Sequence, residues 1–338
     1  MGLQGTPGFP WATARSPSTN FWTAGSSTCS ATKWRRWRCQ TTEGIANCHI
    51  RPTLGRKQIA KLRPAEIDAL LSVKRDSGLS VSTVRRIRSV LAQALTQAQR
   101  WELVGRNAAA LSRPPKASRR EGRSLTPDEA RQLMVELQGH RLEACFLLML
   151  GTGLRRGEAL GLRWIDVDLD NAVRTVRSQL RRKVGRVNPG TGGREGAGLV
   201  LVAPKTERSK RQVDLPIFVV AALKGHKARQ AEERLHLGAA WRDTGHVFTT
   251  SIGTPCDPRN TSREFAMVAR RAGLGAWHVH ELRHSAASLM LAQGQAIEVV
   301  SAVLGHSSIR MTADIYGHIA RSQRQAAASA MDAALGTS

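Results

Sequence analysis

Apolar residues recur at helical spacing through most of the chain, and they alternate at strand spacing over one stretch near its middle. In "LRPAEIDALLSVKRDSG", Pro64 stands in a first turn, Ile67, Leu70, Leu71 and Lys74 follow at helical spacing, and Gly78 stops the run. "SVSTVRRIRSVLAQALTQAQRWELV" predicts a longer helix capped by Ser80 or Ser82. Val84, Ile87, Leu91, Leu95 and Ala98 form its apolar stripe, and Arg85, Arg86, Arg88 and Arg100 lie mainly off it. A helical module with a basic surface thus spans 49–111. The proline-containing "SRPPKASRREGR" at 112–123, with Arg119 and Arg120, reads as a linker or as a strap able to lie on phosphates.

From Ser124 a second domain begins, with Thr126 as a cap and Pro127 at the first helical position. "RLEACFLLMLGTGLRRGEALGLRW" predicts a buried helix, a Gly-rich turn and a short helix. "NAVRTVRSQL", "GLVLVAP" and "RQVDLP" predict strands, with "NPGTGGREG" as a long turn between them. "PIFVVAALKGHKARQAEERL" is a long helix, and the rest to Gly336 is helical. The expected class is mainly α with one small antiparallel β-sheet, an α+β domain over 124–320. A helix over 321–338 carries Ala327, Met331 and Leu335 on one face. Residues 1–48 show neither period, hold four of the eight Trp and three of the five Cys, and are expected to lack structure. The abrupt change near Ile50 suggests an unusual start site or a reading-frame slip that replaced an ordinary N-terminal region.

Charge narrows the function. Lys and Arg outnumber Asp and Glu by 51 to 26 in 338 residues, and the excess is spread through the body of the chain, which points to a polyanionic partner, nucleic acid first. No apolar run approaches the ~18 residues that cross a bilayer, so a membrane partner is not expected. Five cysteines at no metal-like spacing fit a reduced cytoplasmic protein with neither disulfides nor a zinc knuckle.

"HELRH" at 280–284 matches the H-E-x-x-H zinc-hydrolase helix, in which two histidines one turn apart hold the metal and the Glu is the base. The same residues contain H-x-x-R, with His280 and Arg283 on one helical face. A guanidinium beside an imidazole suits an anion better than a cation. Around this pair stand, in order, "TGLRRGE" with Arg155 and Glu158, "APKTERSKRQVDLP" with Lys205, "LGHSS" with His306, and "TADIYGH" with Tyr316, the only tyrosine. Each piece is common, and the order is specific.

Over about residues 50–320 this ordered set resembles the tyrosine recombinase (phage integrase) family. The resemblance implies a helical core DNA-binding domain and a catalytic domain closing around duplex DNA. It also implies a reaction in which Tyr316 attacks a backbone phosphate, leaving a 3′-phosphotyrosyl link and a free 5′-hydroxyl. His280 is then the proton acceptor, Arg155 and Arg283 hold the non-bridging oxygens, His306 is a further donor, and Lys205 on a β-turn protonates the leaving oxygen. Glu158 orients Arg155, and His284 and His318 are structural hydrogen-bond partners. Arg85, Arg86, Arg88, Arg119 and Arg120 are candidate DNA contacts. No cofactor or metal is implied.

The implied partners are double-stranded DNA, further copies of the chain in a tetramer joined through the C-terminal segment, and accessory DNA-bending or directionality proteins. The location is cytoplasmic, on the nucleoid when DNA is bound. The first 48 residues show no arm-site domain and leave the first core-binding helix in question. A relaxing topoisomerase of similar active site, a catalytically silent DNA-binding relic and the zinc hydrolase are the alternatives.

Overall fold

The computed structural model describes residues 42–116, 123–183, 185–187, 194–195, 197–203, 211–305 and 308–309, with a few helical positions near the C-terminus. Residues 1–41, Arg119, Arg120, Lys205, His306, Tyr316 and His318 lie outside the described residues. The chain divides into two compact units, Met1–Arg120 and Glu121–Ser338.

The first unit is helical: α1 (Thr42–Ile45), a π-helical turn (Ala46–Ile50), α2 (Arg51–Leu54), α3 (Pro64–Asp76), α4 (Val81–Arg100) and α5 (Ala108–Leu111). Pro64 opens α3, and Gly78 follows its end with φ of 84°, in the left-handed region where glycine lacks a steric penalty. Ser80 caps α4, its Oγ accepting from the Thr83 N–H at 3.3 Å. Ile67, Leu70 and Leu71 of α3 and Val84, Ile87, Leu91 and Leu95 of α4 form one core.

Two expectations change here. Residues 42–48, expected to lack structure, are helical, because Ile45, Ala46 and Ile50 are buried in that same core. An apolar triplet in so short a stretch has no period to read, and only its burial against α3 and α4 defines it. Cys48 is disulfide-bonded, against the expectation of free thiols throughout, with its partner outside the described residues.

The Arg88 guanidinium is engaged within the first unit. It donates from Nε to Ser112 Oγ at 3.0 Å and from Nη2 to the carbonyls of Ala110 at 3.0 Å and Ser112 at 2.9 Å. These carbonyls cluster at the end of α5, where helical partners run out and the helix dipole favours a cation. Arg85 likewise donates to the Pro115 carbonyl at 3.2 Å, and Asp68 accepts from the Arg113 N–H at 2.9 Å. The first residues of the expected linker are thereby strapped to the helical unit. Arg86 is exposed.

In the second unit, α6 (Pro127–Leu137) starts on a reciprocal capping box between Thr126 and Glu129. α7 (Glu143–Thr152) is buried on nearly every side and packs on α9 (Ile217–Leu237) and α11 (Glu281–Ala292). α8 (Arg156–Leu160), α10 (Pro258–Arg271) and α12 (Ile297–Leu304) complete the helices that frame the core.

Where one small antiparallel sheet was expected, the described residues form three small antiparallel sheets. β1 (Val167–Asp168), β2 (Val173–Thr175) and β7 (Gln212–Asp214) form one. β3 (Gln179–Lys183) pairs with β6 (Gly198–Val202), and β4 (Arg186–Val187) with β5 (Arg194–Glu195). The register explains the split. Thr175 faces Gln212 and Gln179 faces Val202, so in the sequence the two ladders are separated by residues 176–178 on one side and by 203–211 on the other.

The strap at Arg88 gives a stability prediction. Arg88→Ala removes charge-assisted bonds to carbonyls and is expected to cost the first unit about 1.5–3 kcal/mol in denaturant unfolding. Arg86→Ala should leave the midpoint unchanged. Equal effects would mean that the strap contributes nothing.

Candidate active site

The site is assembled from the ends of helices. α7 closes on Gly153, which has φ of 64° and whose added Cβ would lie 2.3 Å from Leu304 Cδ2 at the end of α12. Two residues on, Arg155 caps α8. Its N–H donates to Glu158 Oε2 at 3.2 Å and its Nη1 to Glu158 Oε1 at 2.8 Å, while Nη2 reaches the Gly305 carbonyl at 3.3 Å. Glu158 is 6% exposed and also accepts from Arg211 Nη2 at 3.2 Å. Burial pushes its carboxyl up, but Arg211 and Arg155 outweigh that and hold it below the usual carboxylate range.

Arg283, in the first turn of α11, is 4% exposed. Its Nη1 donates to the Gly153 carbonyl at 2.7 Å and its Nη2 to the Leu304 carbonyl at 2.8 Å, so one guanidinium ties the ends of α7 and α12. Arg155 and Arg283 therefore converge on adjoining carbonyls, residues 304 and 305, directly before His306. His280 caps α11, and its ring lies edge-on to that of His284 with centroids 5.5 Å apart. Desolvation lowers the His280 pKa, and His284, Arg283, Arg155 and Arg156 lower it further. The imidazole is thus neutral at neutral pH and able to accept a proton.

The zinc reading finds little support in this donor set. Among the described residues no group of three His, Cys, Asp or Glu could hold a metal ion. Glu281, the residue a zinc hydrolase would use as base, accepts from the His278 N–H at 2.6 Å at the helix start. The cations around His280 favour an anion.

Two buried arginines were not singled out by sequence reasoning. Arg211, just before β7, has a side chain 9% exposed and donates from Nε to the Val303 carbonyl at 2.8 Å. In the sequence it stands in a basic run with Lys205, Arg208 and Lys210, and nothing there sets it apart. Arg174 of β2 is 1% exposed, and its three side-chain nitrogens have no hydrogen-bond partner. Burial first, then Arg211, pushes its pKa down to about 9 against the pull of Glu158 and Asp166, which leaves it charged at neutral pH. Strand alternation alone gives no reason for an arginine to face the core.

A cavity of about 1050 Å³ lies elsewhere, between the β1–β2–β7 sheet and α9, and shares no residue with this cluster. No helix among the described residues is long and apolar enough to cross a membrane.

Two guanidinium groups thus meet on adjoining carbonyls near a histidine whose pKa is lowered by burial and neighbouring cations, on a mainly helical domain with small sheets. Residues 123–323 match the phage integrase family. The chain belongs to that family and is a tyrosine recombinase, an enzyme of the DNA breaking and rejoining class. It is similar to a XerC-like tyrosine recombinase of Caldanaerobacter subterraneus subsp. tengcongensis, 36% identical over 204 residues, which are 60% of this chain and 51% of that protein. The chain thus spans about half the length of that relative. An integrase of Streptomyces ambofaciens is 30% identical over 303 residues, 85% of this chain and 74% of that protein. Among solved structures, the Tn1549 transposon integrase in complex with transposon right end DNA aligns with a TM-score of 0.69 at 20% identity, covering 88% of this chain and 95% of its own, which shows a shared fold.

Two predictions follow from the buried charges. Arg174→Met, similar in length and without unsatisfied donors, is expected to leave stability unchanged or raise it by up to about 4 kcal/mol in denaturant unfolding. A loss of several kcal/mol would show that the guanidinium has a partner. The second concerns acid. His226, His246, His280 and His284 all have lowered pKa values, with burial the first cause, so the folded state binds fewer protons than the unfolded chain. Their contribution is complete above the unfolded value of about 6.5 and is lost as pH falls below it toward the folded values. Thermal midpoints should be flat from pH 7 to 8 and fall between 6.5 and 5. A midpoint that rises on acidification would contradict this.

Proposed function

We propose that the chain is a site-specific recombinase that cuts and rejoins double-stranded DNA through a 3′-phosphotyrosyl link to Tyr316, serving a mobile element. The observation that carries this reading is the convergence of Arg155 and Arg283 on the turn before His306, beside a neutral His280. Relatives named as the ICEBs1 integrase of Bacillus subtilis and the Tn1549 transposon integrase support the mobile-element part.

A phenol of pKa about 10 needs both proton removal and charge neutralisation to act near pH 7. In the proposed step the Tyr316 oxygen attacks phosphorus and its proton passes to His280. Arg155 and Arg283, with His306, balance the charge that grows on the non-bridging oxygens. The bond to the 5′-oxygen breaks as Lys205 protonates it. An incoming 5′-hydroxyl reverses the step, so one phosphodiester is exchanged for another of similar energy without ATP. Double-stranded DNA is the partner, bound mainly through phosphates and therefore with steep salt dependence. Exposed Met331 and Leu335 support assembly of a tetramer through the C-terminal segment. Accessory directionality proteins and association with the nucleoid complete the proposal.

The test is a suicide substrate built from repeats that flank the gene. A covalent protein–DNA adduct is expected with the native chain and none with Tyr316→Phe, while DNA binding stays within about twofold, since the hydroxyl acts in chemistry rather than in affinity. Cleavage should persist in chelator, and its acid limb should lie below the ordinary histidine value of about 6.5. An adduct that survives in Tyr316→Phe would remove the tyrosine from its role. No adduct on any flanking repeat would favour the DNA-binding relic.

A further inference from the structure

Arg211 holds three segments together at one guanidinium. Its Nη2 donates to Glu158 Oε2 at 3.2 Å and its Nε to the Val303 carbonyl at 2.8 Å, and its own backbone leads into β7. Gly305 lies against it so closely that an added Cβ would stand 2.5 Å from Nη1 and 2.7 Å from Cζ. Glu158 divides its oxygens accordingly: Oε1 takes Arg155 Nη1, and Oε2 takes Arg211 together with the Arg155 N–H.

We propose that Arg211 is a positioning residue for strand cleavage, which fixes Glu158 so that Arg155 is aimed at the scissile phosphate, and which sets the turn that precedes His306. The physical reason is the buried carboxylate. With Arg211 gone, Glu158 keeps one hydrogen-bonded cation in place of two, and burial then favours its protonated form. A protonated or rotated Glu158 no longer anchors Arg155 at both its backbone N–H and its Nη1. Lysine is a poor substitute, since a single ammonium lacks the planar fork whose Nε and Nη2 reach Val303 and Glu158 at once. Gly305 belongs to the same device, because any larger residue displaces the guanidinium.

The proposal rests on the reading of Arg155 as the group that balances phosphate charge, and the experiment separates the two. Single-turnover cleavage is measured on a suicide substrate with the ordinary scissile phosphodiester, and on one in which a non-bridging oxygen is replaced by methyl, which removes the charge Arg155 serves. Arg211→Met is expected to slow cleavage of the phosphodiester on the order of 10²-fold, the scale of a small misplacement of a catalytic group, with DNA binding nearly unchanged. On the methylphosphonate that defect should shrink, in parallel with the defect of Arg155→Ala. Gly305→Ala should reproduce the pattern, and combining it with Arg211→Met should add little, as for residues that act as one unit. If Arg211→Met does not fold, Arg211→Lys and Gly305→Ala carry the same comparison below their melting midpoints. A defect equal on both substrates while that of Arg155→Ala shrinks would overturn the role of Arg211. If the Arg155→Ala defect does not shrink, the reading of Arg155 fails and the proposal goes with it.

Discussion

A carboxylate taken out of water between two guanidinium groups is the constraint on which the site depends. Glu158 is buried, and a buried charge is tolerable only when its partners are close and well aimed. Satisfying it fixes the start of α8, the entry to β7 and, through Arg211 and Arg155, the carbonyls at the end of α12. The pairing is uneven by design of the surroundings. Arg155, Arg174 and Arg211 act on this one carboxylate, and Asp166, which also acts on Arg174, is already paired with Arg177 at 3.0 Å. The remaining positive potential is what an incoming phosphate would meet, in a setting where water screens it less than at an open surface.

The second feature is the use of helix ends. α7 and α12 both close on left-handed glycines, Gly153 and Gly305, and each leaves carbonyls without helical donors. Arg283 and Arg155 take up those carbonyls, so the cations that suit a phosphate also cap the helices that hold them. Fold stability and anion binding thus draw on the same side chains. The same rule operates in the first unit, where Arg88 caps α5 and binds the start of the linker rather than facing outward.

Much of this was legible in the sequence for local reasons. Ser80 and Thr126 as caps, Pro64 and Pro127 as first-turn residues, and the stripes of α3 and α4 depend on neighbours within one or two turns, and they appear where their spacing predicts. Arg155, Glu158, His280 and Arg283 were legible as members of an ordered set, and Glu158 as the partner of Arg155 lies only three residues away. The division of the sheet among the described residues was not, because it lies in the pairing of β2 with β7 and of β3 with β6, strands distant in sequence. The helical turns over 42–50 were not, because Ile45 and Ile50 acquire meaning only against α3 and α4.

The sequence by itself determined which chemical groups are present, in what order, and where helices such as α3, α4 and α6 begin, since those depend on interactions across a few residues. Only the tertiary structure decided which arginines are inside. Arg174 faces the core from a strand whose pattern is silent about it, Arg211 bonds to residues 53 and 92 positions away, and Arg88 reaches carbonyls more than twenty residues distant. A long cationic side chain takes its role from whichever unsatisfied oxygen it can reach, and that is set by the packing of distant segments.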